Sequence, residues 1–136
     1  MDRSNFLKEL KQYGQKNDIP NISEENALFL KKLIQENKTK KLLEIGSANG
    51  YSTIQFADTL EKMDGKITSI EFSQIAYEEA AENFEAAQVF HLITQYFGDA
   101  REILPLLDET YDFVFIDGLK KASLCFLKLV WDKTQP

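Results

Sequence analysis

From Lys41 onward, short apolar runs alternate with longer amphipathic segments. The apolar runs predict strands over residues 41–45, 67–72, 89–96 and 113–116, and the segments between them predict helices over 52–61, 74–87 and 100–107. A last helix is predicted from about residue 121 to 132. Strands that alternate with helices in this way are typical of an α/β fold built on a parallel sheet.

Two further helices are predicted before the first strand. One spans residues 5–16, and the next begins after Ser23, a residue suited to cap a helix, with Glu24 and Glu25 in its first turn. The chain has 136 residues, 43% of them hydrophobic and 28% charged, which is the composition of one globular domain. We therefore predict a single domain over 1–136, with helices in 1–40 and strand–helix units in 41–136.

Charge and cysteine content exclude several classes of protein. The net charge of −6 argues against broad binding to a phosphate backbone, so nucleic acid is not indicated as a partner. The N-terminus mixes charged residues with no apolar signal core, and no run is long enough to span a membrane, which favours a cytoplasmic protein. The single cysteine, Cys125, excludes an internal disulfide and is interpreted as a buried apolar residue.

The most informative segment runs from Glu44 to Ser52, across the end of the first strand, a loop with two glycines and the start of a helix. Gly46 and Gly50 allow backbone to approach a ligand, and the helix start offers unpaired N–H groups. This pattern predicts a site for a nucleotide-like cofactor. A dinucleotide fingerprint would need glycine in place of Ala48 and Tyr51, which disfavours a nicotinamide-dependent dehydrogenase. A tight turn with incidental glycines remains the alternative.

Acidic residues stand at the ends of three predicted strands: Glu44, Glu71 and Asp117. Ligands of open α/β sheets bind beyond the carboxyl ends of the strands, so these acids are expected to gather at one rim. Glu71 lies about 20 residues beyond the glycine loop, where a carboxylate can accept hydrogen bonds from ribose hydroxyls. A helix cap or a solvated acid is the alternative for Glu71.

Four segments in this order resemble the motifs of the class I S-adenosylmethionine-dependent methyltransferases, and among them the small bacterial and catechol-type O-methyltransferases. The segments are Glu44-Ile45-Gly46 with Gly50-Tyr51-Ser52, Ile70-Glu71, Gly98-Asp99-Ala100, and Asp117-Gly118-Leu119-Lys120. The resemblance spans roughly residues 19–131. It implies a Rossmann-like, doubly wound, mostly parallel sheet with flanking helices, of which this sequence holds about four of the usual seven strands.

The resemblance also implies a role for each matching residue. Those expected to line the methionine and ribose portions of S-adenosylmethionine are Glu44, Gly46, Ser47, Gly50, Tyr51 and Ser52. Glu71 would hold the ribose hydroxyls, and Asp99 with Ala100 would lie against the adenine. Asp117 would lie near the cofactor's amino group and, in metal-dependent members, would ligate a divalent cation such as Mg²⁺. Lys120 matches the lysine that acts as general base on the acceptor, a hydroxyl of a small molecule or a modified nucleoside.

Two departures from the family pattern qualify this interpretation. Ser123 stands where the family often has tyrosine. The sequence halts at Pro136, before the acidic pair that completes the metal site, so we interpret it as a C-terminally truncated domain. A catalytically incomplete cofactor-binding remnant is the alternative function. The strand ending at Asp117 would then expose an unpaired edge that favours self-association, such as a homodimer.

One histidine, His91, lies inside the predicted strand over 89–96. It has no Cys, Asp or His at ligand spacing, and we interpret it as structural. On the predicted helix over 74–87, four glutamates recur at helical spacing and predict a solvated face: Glu78, Glu79, Glu82 and Glu85.

Overall fold

The computed structural model describes residues 2–117. Its helices are α1 (Arg3–Lys16), α2 (Glu24–Glu36), α3 (Tyr51–Glu61), α4 (Gln74–Ala86) and α5 (Ala100–Ile103), with short 3-10 helices at Phe90–Leu92 and Leu104–Leu106. Its strands are β1 (Lys41–Ile45), β2 (Lys66–Glu71), β3 (Ile93–Phe97) and β4 (Phe113–Ile116). The helix predicted over 121–132, together with Lys120, Ser123 and Cys125, lies outside the described residues.

The four strands form one parallel sheet in the order β3-β2-β1-β4. The chain moves outward from β1 through β2 to β3 and then returns to the other side of β1 as β4. This reversal makes the gap between β1 and β4 the topological switch point, where α/β proteins bind ligands. The predicted α/β fold with a doubly wound parallel sheet is confirmed for this part of the chain.

The sheet is covered on both faces because successive strand residues point to opposite sides. Leu42 and Ile67 join a core cluster with side chains from α1 to α4. Leu43, Ile45 and Ile70 join a second cluster, which includes residues from the α5 segment. Every residue of β1 and β2 except the first of each is buried, as expected for central strands of a parallel sheet.

The N-terminal helices begin at side-chain caps and pack on α3. Ser23 caps α2 as predicted, since its side chain accepts a hydrogen bond from the backbone N–H of Asn26. The Arg3 guanidinium ties α1 to α3, with Nη1 2.8 Å from Asp58 Oδ1 and 3.1 Å from Glu61 Oε1. These contacts hold the N-terminal helices of residues 2–40 against the strand–helix part of the chain.

The prediction of a strand from residue 89 is wrong for its first four residues. The chain first makes the 3-10 helix Phe90–Leu92, and β3 begins at Ile93. Val89 and Leu92 are buried while Phe90 and His91 are exposed, a spacing of three that belongs to a helical turn. His91 therefore lies on an exposed turn and not in a strand.

The helix predicted over 100–107 is also shorter than expected. The α-helix ends at Ile103 and continues as the 3-10 helix Leu104–Leu106. Pro105 has no backbone N–H and its ring clashes with the preceding turn, so a longer α-helix is not sustained. Within residues 2–117, no helix has the length and apolar character that crossing a membrane requires.

Candidate functional site

Backbone hydrogen bonds join the ends of the four strands at one rim of the sheet. The N–H of Gly46 donates to Ile70 O at 2.8 Å, and the N–H of Asp117 donates to Ile45 O at 2.8 Å. On the other side, the N–H of Gly98 donates to Glu71 O at 2.9 Å. The structure therefore brings together the segments that the sequence singled out at Gly46, Glu71, Gly98 and Asp117.

The glycine loop has a backbone that few other residues could adopt. Gly46 and Gly50 have φ values of 93° and 92°, and Ala48 between them has a φ of 49°. The N–H of Gly50 donates to Ser47 O at 2.8 Å and closes a tight turn. A Cβ on Gly50 would lie 2.7 Å from Phe84 Cε1, so both the φ value and the packing require glycine there.

Glu71 connects this loop to the start of α4. Its Oε1 accepts a hydrogen bond from the N–H of Ala48 at 2.9 Å, and its Oε2 accepts one from the N–H of Ser73 at 2.9 Å. A carboxylate has about four acceptor sites, so each oxygen can accept a further hydrogen bond. Glu71 thus fastens the loop while keeping acceptor capacity for a ligand, and its role toward ribose stays a prediction.

Glu44 lies beneath the loop and is fully buried. Ser52 Oγ donates to its Oε2 at 2.6 Å, and the hydroxyl of Thr53 donates to its Oε1. Burial raises the pKa of Glu44 to about 7; the two hydroxyls lower it, and the charges of Asp117 and Glu71 raise it. The Glu44 carboxylate therefore points toward α3.

Asp117 directly follows β4 at the rim, where it is exposed in part. Desolvation of its carboxyl group and the negative charge of Glu71 raise its pKa. No three His, Cys, Asp or Glu side chains within residues 2–117 form a group that could hold a metal ion. The predicted cation at Asp117 stays a prediction, and Lys120, the predicted base, lies outside the described residues.

The adenine-side residues of the prediction lie at the start of α5. Asp99 caps this helix by accepting from the N–H of Arg101 at 2.8 Å, and its carboxylate pairs with the Arg101 guanidinium at 2.6 Å. These hydrogen bonds lower the pKa of Asp99. Ala100 is buried next to it. The lowered pKa keeps Asp99 negatively charged at the rim. Its contact with adenine stays a prediction.

Further residues of the loop and of the start of α3 are buried. The Ser47 Oγ is buried and has no hydrogen-bond partner among residues 2–117. Tyr51 is 2% exposed and its hydroxyl accepts from Gln55 Nε2 at 3.1 Å, so it supports α3 from inside. Asn49 O accepts from Asn83 Nδ2 at 2.8 Å, which ties the loop to α4.

Sequence reasoning missed Phe72 and Thr53. Phe72 directly follows Glu71 at the rim and is 62% exposed. A phenylalanine placed after an acidic strand end is a signal that could have indicated an apolar contact for a ligand. Thr53 gives no such signal, because only the fold shows that its hydroxyl meets Glu44.

A groove of about 610 Å³ lies elsewhere, between α1 and α4. Its lining includes the apolar side chains Phe6, Tyr13 and Ile75 and three of the glutamates predicted to form a solvated face. Apart from those glutamates, none of the residues discussed as site candidates lines it. We take the rim as the candidate site because the strand ends, the glycine loop and the acidic residues converge there.

Comparison with known proteins identifies the family. A sequence profile described as O-methyltransferase matches residues 1–132 of this chain. The chain belongs to the O-methyltransferase family. This confirms the resemblance inferred from the four segments, and it agrees with the four-stranded parallel sheet.

Curated members of the O-methyltransferase family share about a third of their residues with this chain. Tapetum-specific methyltransferase 1 of Arabidopsis thaliana is 34% identical over 132 residues, which cover 90% of this chain and 56% of that protein. Caffeoyl-CoA O-methyltransferase 1 of Arabidopsis thaliana is 34% identical over 137 residues, covering 93% of this chain and 51% of that protein. The chain spans about half the length of these relatives.

Solved structures of O-methyltransferases superpose closely on this family member. The O-methyltransferase TomG from Streptomyces achromogenes, involved in tomaymycin synthesis and solved in complex with SAM, gives a TM-score of 0.87 at 31% identity. It is covered over 61% of its length, and this chain over 96%. The O-methyltransferase from Bacillus cereus, solved with SAH, gives a TM-score of 0.88 at 28% identity and covers 97% of this chain and 62% of its own.

Proposed function

We propose that this chain binds S-adenosylmethionine at the rim formed by the carboxyl ends of its strands. The bound cofactor would serve methyl transfer to a hydroxyl group of a small molecule or a modified nucleoside. The observation that carries the proposal is the position of the glycine loop between β1 and α3. The loop lies beside the switch point, and its Ala48 N–H donates a hydrogen bond to Glu71. The cofactors of the solved relatives support it.

The residues at the rim fit this cofactor chemically. Ser47 Oγ is a buried hydroxyl without a partner in the described part of the chain, and a polar ligand would satisfy it. Glu71 can accept both ribose hydroxyls in addition to its two backbone donors. Phe72 offers an exposed apolar face for a purine ring beside Glu71.

Charge also favours this cofactor. Glu71 and Asp117 place two carboxylates at the rim, and Glu44 lies below them. S-adenosylmethionine carries a cationic sulfonium and an ammonium group, which are attracted to such a cluster. Its carboxylate would meet the N-terminus of α3, where the N–H of Tyr51 donates to Asn49 Oδ1 at 3.2 Å and the next N–H groups have no partner within the helix. The site therefore suits a ligand that is positive at its centre and negative at one end.

In the reaction, the bound cofactor supplies an electrophilic methyl group on its sulfonium. The chain's contribution is to hold donor and acceptor in line, because such a displacement depends mainly on near-attack geometry. Asp117 would orient the cofactor's amino group, and Lys120 would take the proton of the acceptor hydroxyl. A divalent cation such as Mg²⁺ at Asp117 would lower the pKa of that hydroxyl, with oxygen ligands from outside the described residues.

Isothermal titration calorimetry tests the cofactor directly. S-adenosylmethionine should bind saturably, whereas NAD should give no heat of binding. Glu71→Gln keeps one oxygen acceptor and removes the charge, and we expect its affinity to fall at least about tenfold, since charged hydrogen bonds contribute about 1.5–3 kcal/mol. Glu85→Gln, an exposed acid on α4, is the matched control and should bind like the wild type.

The results of the titration separate the proposal from its alternatives. Saturable NAD binding would support a dehydrogenase, and absence of S-adenosylmethionine binding would refute the proposed function. If the cofactor binds, release of S-adenosylhomocysteine in the presence of Mg²⁺ and a catechol acceptor would demonstrate methyl transfer by this chain. Binding without that release would favour the alternative of a cofactor-binding unit that does not catalyse the reaction alone.

A further inference from the structure

Helix α2 packs on the domain with one face and leaves its other face exposed in the described part of the chain. Ala27 and Ile34 are fully buried, and the helix packs on α3. Because an α-helix turns about 100° per residue, Leu28 and Phe29 are turned away from those two, and each is 61% exposed. Single exposed apolar side chains are common on protein surfaces, so the meaning of this pair depends on its surroundings.

Two opposite charges flank this apolar pair on the same side of the helix. Glu25 lies about one turn before the pair and Lys32 about one turn after it, and both are exposed. Residues three and four apart share a helix face, so these side chains form one patch, which we call the outer face of α2: Glu25, Leu28, Phe29 and Lys32. The outer face is acidic at its N-terminal end, apolar in the middle and basic at its C-terminal end.

The order of these charges makes the outer face complementary to itself in one arrangement. Glu25 and Lys32 lie equally far from the midpoint between Leu28 and Phe29, about 5 Å along the helix axis. A second copy packed antiparallel about a twofold axis through that midpoint brings each Glu25 to the Lys32 of the other copy. The same axis brings each Leu28 to the other copy's Phe29. Glu36, which is 3.9 Å from Lys32, would lie beyond the first residue of the other helix.

We propose that the outer face of α2 binds the outer face of a second copy of this chain, antiparallel, and forms a twofold-symmetric dimer. Contacts of one patch with itself are the commonest way in which identical chains associate. Burial of the apolar middle supplies most of the affinity, and the two ion pairs set the orientation. This dimer does not depend on a bound cofactor, and its surface differs from the strand edge at which self-association was expected.

Sedimentation equilibrium of the full chain measures the Kd of the dimer, at a temperature where circular dichroism shows every variant to be folded. Phe29→Gln should raise this Kd at least about thirtyfold, because the dimer then no longer buries two phenylalanine side chains. Ile75→Gln is the matched control, since Ile75 is 79% exposed on α4 and lies outside the outer face of α2. The Kd of this control should stay within about twofold of wild type.

Charge reversals test the antiparallel orientation. Glu25→Lys places two lysines together at each end of the interface, Lys32→Glu places two glutamates together, and either change should raise the Kd about tenfold. The double variant Glu25→Lys/Lys32→Glu restores both pairs with reversed sign, and its Kd should return to within about threefold of wild type. Damage to the helix itself would not cancel in this way, because a lysine in the first turn still opposes the helix dipole.

Three outcomes would overturn the proposal. One is a wild type that stays monomeric up to its solubility limit. Another is a dimer whose Kd Phe29→Gln leaves unchanged, which would place the interface elsewhere, and weakening by Ile75→Gln would then indicate the groove between α1 and α4. The third is a double charge variant that dimerises no better than either single variant. The assay contains no methyl donor, so its result and that of the cofactor titration are independent.

Discussion

Gly50→Ala tests whether the glycine loop is shaped by the packing described above. Gly50 has a φ of 92°, and a Cβ at this position would lie 2.7 Å from Cε1 of Phe84. An L-residue in the left-handed region costs about 1–2 kcal/mol. Overpacking a filled core costs about 1–3 kcal/mol, and Phe84 is fully buried and cannot move aside freely. We expect Gly50→Ala to lower the free energy of unfolding by about 2–5 kcal/mol.

Urea denaturation followed by circular dichroism measures this loss. The variant Phe84→Leu separates the backbone cost from the packing cost. The smaller side chain makes room for the new methyl group but leaves φ at residue 50 unchanged. In the Phe84→Leu background, Gly50→Ala should cost only about 1–2 kcal/mol. A cost below about 1 kcal/mol in the wild-type background, or the same cost in both backgrounds, would refute the reasoning.

Three further predictions concern buried and paired groups. Burial raises the pKa of Glu44 to about 7 from 4.5, so its contribution to stability is complete below about pH 4.5 and is lost as the pH rises through 7. Wild type should therefore lose about 3 kcal/mol relative to Glu44→Gln between pH 4.5 and 8 in urea titrations, and parallel pH curves would contradict this. Arg3→Gln removes the ion pairs to Asp58 and Glu61 and should cost about 1 kcal/mol, less in high salt, whereas Lys32→Gln at an exposed pair should cost under about 0.5 kcal/mol. Ser47→Ala should leave the unfolding free energy within about 0.5 kcal/mol while weakening S-adenosylmethionine binding in calorimetry, because its hydroxyl is unpartnered within residues 2–117.

The bounds of two strands were predictable because their sequence signal is local. The bounds of β1 and β4 agree with the prediction, since each is a short apolar run next to charged or turn residues. The start of β3 was not predictable in the same way. Val89 and Leu92 are buried in a 3-10 turn, and a short apolar run does not distinguish such a turn from a strand.

The gathering of the site residues was predictable from topology, but their individual hydrogen bonds were not. Parallel strands bring their carboxyl ends to one rim, which places Glu71, Gly98 and Asp117 together. The sequence carries no sign that Glu44 turns toward Thr53, or that Phe84 occupies the space beside Gly50. These contacts depend on how α3 and α4 pack on the sheet, which is a tertiary property.

The most direct test of the central claim is an amide NMR titration with S-adenosylhomocysteine. If the cofactor binds at the rim, the backbone amides of Ala48, Ser73 and Gly98 should shift and saturate with one Kd. The amides of Glu85 and His91, which are exposed and lie outside the proposed site, should not move. Shifts confined to the groove between α1 and α4, or no saturable shift at the rim, would contradict the account.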